Sequence, residues 1–146
     1  SSRKRRENDV LENYEKNFDE NAFVRSFMES QGITRKSKAL AELRKRIKSE
    51  GYYQTKIKTA LKKKYPNAFV RKISQGAYSE GGTPDILMIK DGHYFGFEVK
   101  RPVVGVRSKL QEKTIEEIEA AGGTAAFVTW PEQAIEEVEW YEKTKR

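Results

Sequence analysis

The spacing of apolar residues changes near Tyr65, and this change constrains the fold more than any other feature of the sequence. Before it, apolar residues recur three or four positions apart, which is the period of an amphipathic helix. After it, short apolar runs at 69–73, 85–89 and 93–100 have the length and composition of β-strands. The order of elements is helices and then β-β-β-α-β-α, which predicts an α/β fold with a small mixed sheet flanked by helices.

Two helical stripes precede the change, and a third leads into the α/β part. The first two are separated by a break at Gly32 and consist of Phe23, Val24, Phe27 and Met28, then Ala39, Leu40, Leu43 and Ile47. The third, at 52–64, ends at Tyr65-Pro66-Asn67 because proline cannot continue a helix. We therefore predict a basic, disordered arm at 1–8, a helical extension at 9–50 and one α/β domain at 51–146.

Signals for a helix, a strand and a second helix follow the apolar run at 93–100. Ser108-Lys109-Leu110-Gln111 has the pattern of a capping box, in which the first and last residue satisfy each other's free N–H groups. The next strand, at 124–129, follows that helix as a crossover, so it is predicted to pair in parallel with one neighbour. A last helix begins near Pro131.

A two-residue turn at Asp91-Gly92 would fix the register of two strands. In that register Asp85 pairs with Glu98. Residues paired across antiparallel strands project to the same face with Cβ atoms roughly 4.5–5.5 Å apart, so the two carboxylates should be neighbours. Lys100 lies two residues beyond Glu98 and shares that face. The alternate positions would point into a core: Phe95, Phe97 and Val99.

Two carboxylates this close repel each other, and the cost rises beside an apolar sheet. A hard divalent cation such as Mg²⁺ would remove the conflict, since it takes carboxylate oxygens and lowers the pKa of a bound water. Lys100 would then orient the attacking water or neutralise developing charge, and Gly81-Gly82 would let a phosphate backbone approach closely. The alternative is structural: Asp85 ends a strand, and Glu98 forms a half-exposed ion pair with Lys100.

Basic residues are concentrated in the middle of a chain whose formal charge is +7. Residues 51–79 carry seven Lys or Arg and no acid, which suggests a face for a polyanion such as nucleic acid, although a solvated lysine-rich surface is the alternative. No apolar run approaches the roughly 20 residues that span a bilayer, and the absence of cysteine excludes disulfides and zinc–thiolate sites. The candidate DNA-binding residues are Lys56, Lys58, Lys62, Lys63, Lys64, Arg71, Lys72, Arg101, Arg107 and Lys109.

Four segments of the second half together resemble a known nuclease family. They are Gly82-Thr83-Pro84-Asp85-Ile86-Leu87, Phe97-Glu98-Val99-Lys100-Arg101-Pro102, Ser108-Lys109-Leu110-Gln111 and Ala121-Gly122-Gly123. The pair Pro84-Asp85 followed by Glu98-Val99-Lys100 looks like the core of the PD-(D/E)XK nuclease superfamily. The wider run, about residues 52–130, resembles its virus-type replication-repair (VRR-NUC) branch, which implies a restriction-endonuclease-like core.

That resemblance implies a Mg²⁺ or Mn²⁺ site and a catalytic lysine, formed by Asp85, Glu98, the backbone carbonyl of Val99, and Lys100. Gln111 matches the family's glutamine near the active site, and its capping-box role is an equal alternative. The family also carries a Glu in the first helix of the nuclease fold, whereas the equivalent stretch 53–57 here contains no acid. Three residues are candidates to fill that position: Gln54, Glu50 and Glu80.

The predicted function, as the resemblance implies, is that of a metal-dependent DNA endonuclease acting on flapped, four-way-junction or otherwise branched DNA in a phage or repair context. Two alternatives stay open: a nuclease-like DNA-binding module without catalysis, which the missing helix acid favours, and a site-specific homing or restriction-type endonuclease. We expect a homodimer, because one Asp85–Glu98 centre cuts one strand in one pose. We also expect a cytoplasmic or nucleoid-associated protein of a bacterial or phage-infected cell, with no membrane partner.

Overall fold

The computed structural model describes residues 18–73 and 81–145 and contains two compact units. The first comprises the described residues up to Ser49 together with Arg101–Gly105. The second comprises the described residues of Glu50–Lys100 and those from Val106 onward. The predicted arm at 1–8 and the candidate ligand Glu80 lie outside the described residues.

The first unit contains two helices, α1 (Glu20–Gln31) and α2 (Lys36–Arg46), at the two apolar stripes of the sequence. The Asp19 carboxylate begins α1 by accepting a hydrogen bond from the Ala22 N–H at 3.1 Å. Gly32 ends α1 with a φ of 65°, a conformation that favours glycine. The buried side chains of the two helices are Val24, Ala39 and Leu43.

The loop Arg101–Gly105 is fixed to these helices by polar contacts. The Arg101 guanidinium donates, at 2.8–2.9 Å, to three carbonyl oxygens near the end of α2, those of Arg44, Ile47 and Lys48. The Val103 N–H donates to Glu20 Oε1 at 2.9 Å, and Val103 has a φ of 65°. A β-branched residue is strained in this left-handed region, so the surrounding contacts hold the loop in a conformation that valine disfavours.

The described part of the second unit contains a four-stranded sheet with three helices: α3 (Glu50–Lys64), β1 (Phe69–Lys72), β2 (Ile86–Lys90), β3 (His93–Val99), α4 (Lys109–Ala120), β4 (Thr124–Val128) and α5 (Pro131–Thr144). The strand order is β1-β2-β3-β4. The first two pairs are antiparallel, and β3 pairs with β4 in parallel through the α4 crossover. The predicted mixed α/β arrangement is therefore confirmed. None of the helices in the described residues is long and apolar enough to cross a membrane.

The β2–β3 hairpin has the predicted register. Both residues of its turn have positive φ, 52° and 78°, as a two-residue turn of the type found in hairpins requires. Pairing continues to Ile86 with Phe97. The next position on each strand is therefore Asp85 and Glu98, so local turn geometry brings the two carboxylates together.

One face of the sheet forms the core beneath α5 and α3. Tyr141 of α5 packs on Phe95, with ring centroids 5.5 Å apart. Tyr53 of α3 packs on Trp130, just before α5, at 5.7 Å. As predicted, the fully buried side chains that β3 contributes to this face are Phe95, Phe97 and Val99.

The apolar residues of β2 are covered unequally on its two faces. Ile86 and Met88 are fully buried, but Leu87 is only half-buried and Ile89 is 42% exposed. The helix on the second face, α4, contacts β3 and β4. This face of β2 is therefore less covered towards the end of the strand. The strand accordingly alternates between a buried and a partly open side, as antiparallel strands commonly do.

The space beside Gly81 and Gly82 is taken by α4. A Cβ at Gly81 would lie 2.9 Å from Leu110 Cδ2, and one at Gly82 would lie 2.8 Å from Thr114 Oγ1. Gly82 also has a φ of 88°. These glycines permit close approach of a helix, and close approach of a phosphate backbone to them stays a prediction.

Candidate metal centre

Asp85 is held just before β2 by backbone groups on both sides. Its carbonyl oxygen accepts a hydrogen bond from the Ile73 N–H at 2.7 Å, and its Oδ2 accepts one from the Val99 N–H at 2.8 Å. The residue is only 8% exposed. These bonds fix the carboxylate in place and leave Oδ1 outside them.

Glu98 lies opposite Asp85 on β3 and is 3% exposed. Its Oε1 accepts a hydrogen bond from Gln111 Nε2 at 2.8 Å, whereas its buried Oε2 has no hydrogen-bond partner among the residues that the structure describes. Burial raises the pKa of Glu98, and the neighbouring charge of Asp85 raises it further. Without a cation, this carboxyl group resists ionisation.

A third carboxylate reaches this pair from the first residue of α3. Carboxylate oxygens of Glu50, Asp85 and Glu98 all lie within 4.8 Å of one another. Three carboxylates at this separation repel unless a proton or cation lies among them, and oxygen donors of this kind suit Mg²⁺ or Mn²⁺. The unpartnered Glu98 Oε2 adds a buried donor atom. The residues present therefore fit a hard divalent cation.

Glu50 is the candidate from the α3 region that the structure brings to this acidic cluster. Gln54 is half-buried one turn further along the helix, and Glu80 lies outside the described residues. The sequence motif placed the expected acid within 53–57, whereas α3 begins at Glu50 and presents a carboxylate from its first residue. Of the three candidates that the sequence offered for this acid, Glu50 is thus the one found beside Asp85 and Glu98 in the described residues.

Lys100 follows β3 directly, beside Glu98. Its N–H donates to the Val128 carbonyl at 2.9 Å, which extends the pairing of β3 with β4 by one residue. Its positive charge partly offsets the rise in the pKa of Glu98. Val99 between them is fully buried and gives its N–H to Asp85, and a metal-binding role for its carbonyl stays a prediction.

Gln111 combines the two roles that the sequence left open. Its Oε1 accepts from the Ser108 N–H, and its own N–H donates to Ser108 Oγ, both at 3.1 Å, which completes the capping box of α4. Its Nε2 donates to Glu98 Oε1 at 2.8 Å. One side chain thus joins the start of a helix to the acidic cluster. The sequence spacing predicted the cap, whereas the family resemblance alone placed Gln111 near the proposed centre.

The candidate DNA-binding residues are spread over several elements. Lys62, Lys63 and Lys64 are exposed at the end of α3. The guanidinium groups of Arg71 and Arg107 lie over the rings of Phe69 and Phe127, at 4.3 Å and 4.5 Å. The Arg101 guanidinium donates hydrogen bonds to carbonyl oxygens near the end of α2. The remaining candidates are half-buried or exposed: Lys56, Lys58, Lys72 and Lys109.

His93 is packed at the turn end of β3. Its Nε2 lies 2.8 Å from Thr124 Oγ1, and its ring centroid is 3.6 Å from that of Tyr141. Burial lowers the pKa of His93. These contacts give it a structural environment, and the acidic cluster does not include it.

A solved structure described as a VRR_NUC domain is similar to this chain. The two are 24% identical, and the match covers 61% of this chain and 97% of the other with a TM-score of 0.49. Neither a protein-family model nor a curated protein matches the chain. The chemistry of the acidic cluster, rather than this likeness, bears on the activity.

Proposed function

We propose that the chain is a metal-dependent nuclease that hydrolyses phosphodiester bonds in DNA at a centre formed by Asp85, Glu98 and Lys100. The observation that supports this proposal most directly is the acidic cluster of Glu50, Asp85 and Glu98, whose carboxylate oxygens lie within 4.8 Å of one another. Burying such a cluster for structure alone would cost stability through repulsion and desolvation. The ion-pair alternative required a half-exposed Glu98, but that residue is 3% exposed.

Each residue of the proposed centre has a distinct task. Asp85 and Glu98, with the Val99 carbonyl, would be the ligands, and Glu50 is close enough to the two carboxylates to act as a further one. Bound Mg²⁺ or Mn²⁺ would supply an activated water and charge stabilisation on the phosphate. The Lys100 ammonium orients the attacking water or neutralises the charge that develops on a phosphate oxygen.

The proposed substrate is DNA with a branched or otherwise structured form, in keeping with the resemblance to VRR-NUC nucleases. The exposed lysines at the end of α3 supply positive charge for its phosphates. A homodimer would offer one centre for each of two strands. The alternative of an inactive binding module drew on a missing helix acid, and the position of Glu50 in the acidic cluster favours the active form.

Cleavage of linear, flapped and four-way-junction DNA in Mg²⁺, Mn²⁺ or EDTA tests this proposal. We expect products with either metal and none with EDTA. Lys100→Ala should reduce the cleavage rate by about 100-fold or more, since it removes a group that acts on developing charge. It should retain DNA binding and melting temperature, and Lys113→Ala, which changes an exposed lysine of α4, should cleave normally.

Two results would count against the proposal in different ways. Cleavage by Lys100→Ala at the wild-type rate would remove the lysine from the mechanism. Failure of the wild-type chain to cut any of the three DNAs, with metal bound, would leave a DNA-binding module as the better description.

A further inference from the structure

The hydrogen bonds at the start of α4 do more than cap a helix. We propose that the Ser108–Gln111 capping box orients the Glu98 carboxylate for the metal, which makes Ser108 and Gln111 positioning residues of the centre. The inference rests on the proposed function, because it concerns the same metal site. What is new is the part played by the backbone N–H of Ser108, which acts on the metal ligand through the amide of Gln111.

The orientation of the Gln111 amide follows from its contact with Ser108. The Ser108 N–H lies 3.1 Å from the amide and can only donate, so the atom facing it must be the amide oxygen. The amide nitrogen then faces Glu98 Oε1 at 2.8 Å and donates to it. The reverse orientation would set N–H against N–H and the amide oxygen against a carboxylate oxygen. Ser108 therefore decides which atom Gln111 presents to Glu98.

This donor distinguishes the two oxygens of Glu98. Oε1 is held by Gln111, while Oε2 is buried without a partner among the described residues. Asp85 is held in the same manner, since its Oδ2 accepts the Val99 N–H at 2.8 Å. A carboxylate fixed through one oxygen presents the other in a defined direction, and such outer hydrogen bonds typically strengthen metal binding.

The start of α5 shows a comparable helix cap that lacks this contact. Gln133 Oε1 accepts from the Thr129 N–H at 2.6 Å and from the Trp130 N–H at 3.1 Å. Gln133 is exposed, and its hydrogen bonds within the described residues go to this backbone. Within the described residues, Gln111 and Gln133 thus share this capping task, and Gln111 also contacts Glu98.

Gln111 and Gln133 provide a matched pair of variants for a test in the full chain. Gln111→Met and Gln133→Met each remove a glutamine cap and should lower the melting temperature by a similar, small amount. Mn²⁺ affinity, measured by titration calorimetry, should fall about tenfold or more in Gln111→Met and stay at the wild-type value in Gln133→Met. A role in helix stability alone would not separate the two variants.

Substitutions at Ser108 separate its N–H from its hydroxyl. Ser108→Pro removes the N–H at a φ of −85°, near the value that proline adopts, and should weaken Mn²⁺ binding about as much as Gln111→Met. Ser108→Ala keeps the N–H and removes only the hydroxyl, so it should weaken Mn²⁺ binding clearly less than Ser108→Pro does. This second variant keeps the test open if the proline variant does not fold.

The outcomes are distinguishable from a failure of the proposed function. Equal Mn²⁺ affinity in the wild type and Gln111→Met would overturn the positioning role while leaving the metal site in place. A tenfold loss in Ser108→Ala would overturn the assignment to the N–H. A wild-type chain that binds no Mn²⁺ would contradict the proposed metal centre itself.

Discussion

In the acidic cluster, the ionisation of Glu98 depends on burial and on neighbouring charges, and a bound cation would change it. Burial and the charge of Asp85 both raise the pKa of Glu98, and Lys100 offsets this only in part. The metal-free site therefore favours a protonated Glu98, whereas metal binding requires the ionised form. Protons and divalent cations should compete for the same carboxyl group.

This competition predicts that stabilisation by Mg²⁺ increases with pH. The folded-state pKa of Glu98 is raised above its ordinary value of 4.5, which is taken for the unfolded chain. The stability that Glu98 contributes to the metal-free chain is thus fully present below that value and is lost as the pH rises through the raised pKa. Mg²⁺ binds the ionised form, so the melting temperature it adds should be larger at about pH 8 than at about pH 5.

Thermal unfolding followed by circular dichroism, with and without Mg²⁺, measures this effect. Glu98→Gln is the control, because its amide cannot ionise. The melting temperature of this variant should not fall through the titration of residue 98, and Mg²⁺ should not raise it. A Mg²⁺ effect of equal size at both pH values would speak against competition at Glu98.

At the level of elements, local signals predicted more than contacts between distant segments. The turn at Asp91-Gly92 fixed the hairpin register because turn length alone determines which residues pair. The family resemblance named Gln111 and Glu50 as candidates, but no local signal fixed their contacts with the carboxylate pair, since these depend on where α4 and α3 pack on the sheet. The partly open side of β2 likewise depends on where α4 packs.

The exposed end of α3 leads to a prediction about DNA binding. If Lys62, Lys63 and Lys64 contact phosphates, each contact releases counterions, and affinity falls steeply with salt. Replacing all three by Ala should reduce the slope of log affinity against log salt by about 2–3. Fluorescence anisotropy with a labelled duplex at several salt concentrations gives this slope.

A control with the same change in charge comes from α2. Lys36, Lys38 and Lys45 are exposed lysines of the first unit, and replacing them by Ala should leave the slope nearly unchanged. The opposite pattern, with the slope reduced by the α2 variant alone, would place the DNA on the first unit.

At the level of the whole molecule, the two compact units do not follow a single cut in the sequence. The segment Arg101–Gly105 directly follows Lys100, yet it belongs with α1 and α2. Its contacts link Arg101 to residues near the end of α2 and Val103 to Glu20, far apart in sequence. Hydrophobic periodicity predicted the helices and the sheet, but it carries no information about such long-range polar contacts.

The central claim is that Asp85 and Glu98 share one divalent cation, and anomalous diffraction from crystals soaked in Mn²⁺ tests it most directly. We expect a single strong peak between the two carboxylates, at about 2.0–2.3 Å from an oxygen of each. The peak should be absent from crystals of Asp85→Asn prepared in the same way. Well-ordered wild-type crystals with no peak between these side chains, or with the same peak in Asp85→Asn, would contradict the claim.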